Sequence, residues 1–399
     1  ERPTMSTPIL LLNAGSSSIK YQVIDADDEA VLASGLIQRI GDESGTIDHT
    51  VDGQTHHQTR GFPNHGRALT VLVQMFDEFG PALSSVKAVG HRTVHGGSEF
   101  NSTTVIEDEM LEHLRKLSPL APLHNPPAIA GIEAARRSLP DVPHVAIFDT
   151  AFFSTLPAEA FTYAVPRELA EQHGIRKYGF HGTSHSYVSR QVAEVLGKSY
   201  DSFNQIVCHL GNGASVSAIK GGVAVEASMG MTPLAGLVMG TRSGDVDPGL
   251  HAFLAREVGM SIDEIDSTLN KKSGMLGLCG ATDFRDINEL IADGDEAATL
   301  ALAVYTHRLL SYIGSYIAIL GGVQAITFTA GVGENNPGLR AAVAQRLQFL
   351  GVTLDETANS TRSKEPRVIS TADSAIAILV VPTNEELAMA RETKAAIGA

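Results

Sequence analysis

Apolar residues in this chain fall in short runs punctuated by glycine, proline and small polar residues, with stretches of helical spacing between them. Ile9-Leu10-Leu11-Leu12 reads as a short buried strand that ends in the turn Asn13-Ala14-Gly15. After Ser16-Ser17-Ser18, apolar Ile19, Tyr21 and Val23 alternate with polar positions, as in a second strand. Residues 31–37 predict a third strand, and the polar stretch 41–61 a hairpin or loop excursion. Residues 67–79 have helical spacing and stop at Gly80-Pro81. A short strand over 86–89 is expected to end in the loop Gly90-His91-Arg92-Thr93-Val94-His95-Gly96-Gly97. Pro126-Pro127 opens a helix reaching about residue 139. Residues 145–148 form a buried strand that delivers Asp149 at its C-terminal end, where ligands sit in open α/β sheets.

The second half repeats the opening. Apolar 206–210 runs into Gly211-Asn212-Gly213-Ala214-Ser215, and an alternating strand follows over 216–220. Asn13 and Gly15 correspond to His209 and Gly211. Two strand–turn–strand units of one design predict a duplicated fold with phosphates held between the copies. Before this turn, Ser184 is expected to N-cap a helix to about residue 196. After it come a loop over 239–249 and helices over 249–258, 285–293 and 295–320. A strand at 325–329 leads into a glycine turn, followed by a helix from Pro337 and a last strand at 375–381. A C-terminal helix begins near Glu385-Glu386, whose charges suit the positive helix end. The apolar helix near 300–320 reads equally as a dimer surface or a core helix. No low-complexity linker is present, so the domains meet at a hinge.

Composition narrows the function classes. At 399 residues the chain is long enough for two domains. Its 43% apolar and 19% charged residues suit a well-packed fold. A formal net charge of −15 argues against broad nucleic-acid or anionic-membrane binding, so an anionic ligand needs a local cluster of cations and N–H groups. Two cysteines, Cys208 and Cys279, build neither a disulfide framework nor a cysteine zinc site, and point to a reducing cytoplasm. The run at 9–12 is too short for a signal peptide, and 311–320 falls short of a membrane span. Glu1–Thr4 precede Met5 and are set aside.

Several residue types are placed for phosphate chemistry. Lys20 adds a mobile charge beside a turn of converging N–H groups; the alternative is an ordinary serine-rich hairpin. Arg92 and Arg242 fall in glycine-rich stretches where packing does not call for a long cation, and arginine forks onto carboxylate or phosphate. The competing readings are a solvated loop charge for Arg92 and a salt bridge to Asp245 or Asp247 for Arg242. His181 and His185 stand four apart, but the His-Glu-x-x-His of a zinc site is missing. What is left for His181 is donation to developing phosphoryl charge or a packed histidine. Asp149 suits orienting an arginine, binding hydrated magnesium, acting as a base or capping a helix. Gly331-Val332-Gly333 lacks the third glycine of a dinucleotide fingerprint and fits an adenosine-facing turn better. No Gly-x-x-x-x-Gly-Lys-Ser/Thr occurs, which excludes a P-loop enzyme.

Seven motifs together resemble those of the acetokinase family. They are Asn13-Ala14-Gly15-Ser16-Ser17-Ser18, His91-Arg92-Thr93-Val94-His95-Gly96-Gly97, Gly179-Phe180-His181-Gly182-Thr183-Ser184-His185, His209-Leu210-Gly211-Asn212-Gly213, Gly240-Thr241-Arg242-Ser243-Gly244-Asp245, Asp283-Phe284-Arg285 and Gly331-Val332-Gly333-Glu334-Asn335. The resemblance covers residues 9–386. It implies an α/β fold of the actin-like, sugar-kinase-like and Hsp70-like ATPase class (ribonuclease H-like), with two duplicated domains and a central cleft. Residues 1–150, completed by the helix 385–399, form one expected domain; 151–384 form the other and carry most of the ATP site. A homodimer is also implied.

The resemblance assigns roles position by position. Asn13 and Glu385 belong to a Mg2+ site, with Mn2+ as a substitute. Lys20, the turn His209, Leu210, Gly211, Asn212 and Gly213, the triplet Asp283, Phe284 and Arg285, and Gly331, Val332, Gly333, Glu334 and Asn335 belong to the ATP site. Arg92 and Arg242 hold the acceptor carboxylate and the moving phosphoryl group. His181 and Arg242 stabilise the transition state, and Asp149 is the catalytic carboxylate. Val94, Leu123, Phe180 and Pro233 match the small apolar acetate pocket. The implied reaction is reversible transfer of the ATP γ-phosphoryl group to acetate. Kept beside it are a propionate or butyrate kinase on the same scaffold and a non-catalytic ATP-clamping protein of the superfamily.

Overall fold

A computed structural model describes residues 6–399, so Glu1–Met5 lie outside it. Leu10, Leu11 and Leu12 are buried because both faces of their strand, β1 (Pro8–Ala14), are covered. Its sheet also contains β2 (Ser18–Asp25), β3 (Val31–Gln38), β4 (Gly45–Val51), β5 (Gln54–Arg60), β6 (Ala88–Thr93), β7 (Thr104–Val105) and β8 (His144–Phe148). The order is β5-β4-β3-β2-β1-β6-β8-β7, antiparallel from β5 to β1 and parallel through β1, β6 and β8. Residues 41–61 are thus a regular hairpin that widens this sheet.

The second sheet contains β9 (Asn204–Leu210), β10 (Ala214–Lys220), β11 (Val223–Ala227), β12 (Ala325–Thr329), β13 (Arg367–Val368) and β14 (Ala377–Val380). Its order is β11-β10-β9-β12-β14-β13. Apart from the β4–β5 hairpin, the first sheet has the same order, with a leading antiparallel meander, parallel neighbours and an antiparallel final edge. The doubled order is that of the actin-like ATPase class.

The chain divides into two compact units, one running to Ser154 and taking in Asn384–Ala399, the other spanning Thr155–Thr383. In the first, Leu69, Leu72 and Phe76 of the helix His65–Phe79 and Ala134 and Ala135 of the helix Asn125–Ser138 pack on Leu10, Leu12, Ile19 and Tyr21. The helix Glu385–Ile397 covers β1 and β6, burying Leu387, Ala388, Met389 and Ala390. In the second, the helix Glu296–Leu320 buries one stripe, Ala298, Ala301, Tyr305, Leu309, Ile313, Tyr316 and Leu320, and leaves Leu300 and Ile319 exposed.

The structure corrects several boundaries. β6 does not stop at residue 89 but runs through Gly90, His91 and Arg92 to Thr93, paired on both sides by β1 and β8. Gly90 is there for close approach and not for a turn: a Cβ on it would lie 2.5 Å from Thr393 Oγ1 and 2.9 Å from Leu11 Cδ2. Arg92 is therefore a strand residue. The helix expected to be N-capped by Ser184 spans Gly182–Leu196 with His181 at its N-cap, so Ser184 lies in the first turn. The glycine turn after β12 is a short helix, Ala330–Asn335. The expected helix 249–258 divides into Gly249–Phe253 and a π-helical turn, Leu254–Val258. Helices Asp108–Lys116, Ile262–Lys271 and Gly274–Cys279 had no counterpart in the pattern reading. Among the described residues no helix is long and apolar enough to cross a membrane.

Adjacent strands of the first sheet carry a buried histidine pair. His91 Nε2 lies 2.9 Å from His144 Nδ1, and His144 Nε2 lies 2.9 Å from the Leu139 carbonyl. The carbonyl can only accept, so His144 donates to it from Nε2 and accepts from His91 at Nδ1. Burial pushes the His91 pKa far down, helped by His144 and Arg136, and burial also lowers that of His144. Unfolded histidines titrate near 6.5, above both folded values, so the unfolded chain binds more protons as pH falls below that point. This contribution to stability is whole above about pH 6.5 and is lost on acidification, at up to about 1.4 kcal/mol per pH unit for each histidine. The melting temperature is expected to fall between pH 7.5 and pH 5; a flat or rising profile would refute the assignment.

Candidate active site

The first unit gathers five of the expected site residues. Asn13 lies one residue before the end of β1 and pairs in register with Lys20 of β2. Together with Arg92, Glu385, Glu386 and Met389 they line a cavity of about 110 Å³. Arg92 reaches from β6 to Asp149 at the end of β8 in a two-pronged contact, Nε to Oδ1 at 3.0 Å and Nη2 to Oδ2 at 2.8 Å. Asp149 is buried, with 3% of its side chain exposed, whereas Arg92 keeps 25%. One edge of the guanidinium is thus occupied, and the group is oriented by a fork that lysine cannot make. Asp149, with Glu385 and Glu386 beyond it, pushes the Arg92 pKa further up, so the group is a permanent cation. This rules out both the solvated-charge reading of Arg92 and the helix-cap reading of Asp149.

Lys20 is ion-paired with Glu386. Partial burial raises the Glu385 pKa against the pull of Arg92. An amide oxygen on Asn13 and a carboxylate on Glu385 are few, hard donors, the kind a Mg2+ ion uses when it keeps waters and phosphate oxygens. A cation there would hold the raised Glu385 carboxyl ionised, so the residues fit the expected metal. Val94 is half-buried just past β6, and Leu123 is 48% exposed before the helix Asn125–Ser138.

In the second unit the turn between β9 and β10 is the focus. A Cβ on Gly213 would lie 3.2 Å from Arg242 Nη2 and 3.3 Å from His181 Nε2, so this glycine leaves room where the two side chains converge. Arg242 Nη1 donates to the Pro233 carbonyl at 2.8 Å. Asp245, offered by the pattern as its salt-bridge partner, accepts instead from Gly236 N and Tyr312 OH, and Asp247 caps Gly249 N. His181 adopts φ +58°, a left-handed conformation uncommon for a residue with a Cβ, and its ring stacks on His209 at 4.3 Å. Phe180 beside it is buried. The i, i+4 spacing of His181 and His185 serves two bonds to one hydroxyl, Ser215 Oγ, at 2.9 and 2.8 Å.

The Ala330–Asn335 helix packs against β9, with Ala330 Cβ 3.7 Å from where a Gly211 Cβ would stand. Its carbonyls at Gly333 and Glu334 receive Arg340 Nη1 at 2.8 and 2.9 Å. Arg340 also holds Asn359 through Nε and Nη2, and burial lowers its pKa to about 10. Glu334, its pKa raised by burial, accepts from Thr383 N. Asp283 caps the helix Phe284–Ala292 and pairs with Arg285, whose hydrogen bonds lower the Asp283 pKa to about 2. Phe284 is buried edge-on against Tyr305. Asp283 and Arg285 thus hold each other at the start of their helix, while Phe284 packs on the helix Glu296–Leu320.

The Acetokinase family model matches residues 8–391. The acetate kinase of Clavibacter michiganensis subsp. michiganensis is 51% identical over 390 residues, covering 97% of this chain and 98% of that one. This chain belongs to the acetokinase family. The acetate kinase of Streptomyces griseus subsp. griseus is 51% identical over 396 residues, covering 98% and 96%. Among solved structures, an acetate kinase from Porphyromonas gingivalis superposes with a TM-score of 0.93 at 41% identity, covering 98% of this chain and all of that one. A propionate kinase from Francisella tularensis gives 0.91 at 40%, covering 98% and 99%.

For an acetokinase chain, the pattern reading overlooked three elements of the site. Glu386, the partner of Lys20, was read only as a helix-end charge. Arg340 is buried, and nothing in its spacing signals it. Ser215 and Ser217 could have been found from their alternation on β10, which puts both hydroxyls on one face.

Proposed function

We propose that this chain transfers the γ-phosphoryl group of ATP directly to acetate, reversibly, giving acetyl phosphate and ADP. The observation that carries the reading is near-complete kinship to acetate kinases at about half identity. The geometry agrees with it. Acetate is ionised at neutral pH, so the nucleophile needs no base, and catalysis reduces to holding two anions in line and neutralising equatorial charge. Arg92, preset by Asp149, suits the acceptor carboxylate. Arg242 and His181, converging at Gly213, suit the transferring group and its transition state. The His209–Gly213 turn, Lys20, Asp283-Phe284-Arg285 and Gly331–Asn335 carry ATP, and Val94, Leu123, Phe180 and Pro233 receive the methyl group. Asn13 and Glu385 would hold Mg2+, or Mn2+ in its place, supplying charge neutralisation for the phosphates.

Asp149 acts by positioning Arg92 and not as a base, since both its oxygens are committed to the guanidinium. We place the enzyme in a reducing cytoplasm, where Cys208 and Cys279 stay unpaired, and as a homodimer. The test is hydroxylamine trapping of acyl phosphate with ATP and acetate, propionate or butyrate in parallel. Acetate is expected to lead. Propionate should follow as a side substrate, because one methylene is worth only about 1–3 kcal/mol of discrimination. No trapped product with any acid, or butyrate leading, would overturn the assignment.

A further inference from the structure

Ser215 and Ser217 project from the same face of β10 toward the helix Gly182–Leu196, where His185 sits one turn beyond His181. The four side chains form one continuous hydrogen-bonded series. Ser217 Oγ lies 2.7 Å from His185 Nδ1; His185 Nε2 lies 2.8 Å from Ser215 Oγ; Ser215 Oγ lies 2.9 Å from His181 Nδ1. Ser217, His185 and Ser215 are buried.

We propose that Ser217, His185 and Ser215 are positioning residues whose series holds His181 as the neutral tautomer protonated at Nε2, so that it offers a hydrogen-bond donor, and not a cation, to a phosphoryl oxygen. The inference rests on the assignment of phosphoryl transfer to this site, and it names how one residue of that site is set.

The direction of the series follows from its buried end. Among the described residues, His185 Nδ1 is the one hydrogen-bond partner of the Ser217 hydroxyl. A buried hydroxyl proton with nowhere else to go is donated to that nitrogen. Burial holds His185 neutral, with His209 adding to the effect, so its single proton sits on Nε2 and is given to Ser215. Ser215, having accepted, donates its own proton to His181 Nδ1. A nitrogen that accepts carries no proton, and the proton of neutral His181 is therefore on Nε2. That atom points to the space beside Gly213, which Arg242 Nη2 also faces.

An imidazolium at His181 would also donate from Nδ1 into Ser215, which would then accept from both rings and leave its own buried proton without an acceptor. The charged and titratable groups around His181 argue the same way. Arg242 approaches from its loop as a permanent cation, and His209 stacks from β9 with its Nδ1 engaged by Ser184 Oγ at 2.7 Å. Ser184 in turn is bonded to Thr383 Oγ1, so the second histidine has its own hydroxyl series. A neutral donor adds no repulsion beside the arginine and suits oxygens whose charge the cations already meet.

The test uses full-length protein labelled with 15N-histidine and long-range proton–nitrogen correlation between pH 6.5 and 8. His181→Gln and His185→Gln spectra assign the signals. The expected result is the Nε2–H tautomer for both His181 and His185 across that range. An imidazolium at His181, or a proton on Nδ1 of either ring, overturns the proposal. In steady-state kinetics, Ser215→Ala is expected to lower kcat by about ten- to a hundredfold with both KM values within about twofold, and Ser215→Thr to recover most of the loss. An unchanged kcat in Ser215→Ala overturns the relay, as does a loss confined to KM. Wild-type protein that forms no acyl phosphate would instead defeat the phosphoryl-transfer assignment, while the tautomer spectrum would still decide the relay.

Discussion

Replacing Arg92 by alanine lowers kcat/KM for acetate by about a thousandfold or more and destabilises the protein at the same time. The two losses have different origins. The catalytic loss follows from the proposed role of Arg92 as the cation that meets the acceptor carboxylate. The stability loss comes from Asp149, which is left as a buried carboxylate without its fork. Breaking a buried pair from one side costs about 3–5 kcal/mol, and the lower end applies here because Arg92 keeps a quarter of its surface in solvent. Arg92→Ala combined with Asp149→Asn should therefore regain much of the stability and none of the activity. Asp149→Asn alone should slow the reaction without deleting a limb of the pH–rate profile. Urea unfolding beside hydroxylamine-trapped rates checks all three variants. An Arg92→Ala protein as stable as wild type and within tenfold of its rate would dismiss the paired role, and a lost pH limb in Asp149→Asn would restore the base.

Arg242→Ala is expected to match that loss of rate with little loss of stability. Its guanidinium is half-buried and donates to the neutral Pro233 carbonyl, a bond worth about 1 kcal/mol, and its truncation leaves no buried acid behind at Asp245 or Asp247. A group acting on the moving phosphoryl charge is felt most in the transition state. The fall should appear in kcat, by about 10³, with a smaller change in KM for ATP. A raised KM for acetate at unchanged kcat would reassign Arg242 to ground-state binding. The contrast with Arg92 is itself informative: one arginine is forked onto a buried acid, the other donates to a backbone carbonyl.

Much of the fold was legible because short apolar runs bounded by turn residues have few other uses. β1, β8, β9 and β12 could be read this way, and the twin strand–turn–strand units announced the doubled sheet order. Reading failed where tertiary contact decided. Gly90 looked like the end of a strand, yet the nearest reason for the missing Cβ lies on the last helix, at Thr393. Ser184 has the chemistry of a cap, but its hydroxyl is taken by His209 and Thr383, and His181 opens the helix from a left-handed conformation. The helix Ile262–Lys271 was within reach, because Ser261 and Glu264 form a reciprocal capping box that the spacing displays. The helix Asp108–Lys116 offered less, with Met110, Leu111 and Leu114 its only buried members. At the site, motif residues could be named singly, but which partner each would hold could not. Arg92 chose Asp149, and Arg242 passed over two nearby acids.

The last helix has a consequence for biosynthesis. Residues 384–399 complete the first unit but are translated after every residue of the second. A nascent first unit lacks the segment that covers β1 and β6 and supplies Glu385, while the later unit already has all of its own chain. The ribosome thus delivers the inner repeat in finished form before the outer one can close, and the carboxylate proposed to hold Mg2+ arrives with its final stitch.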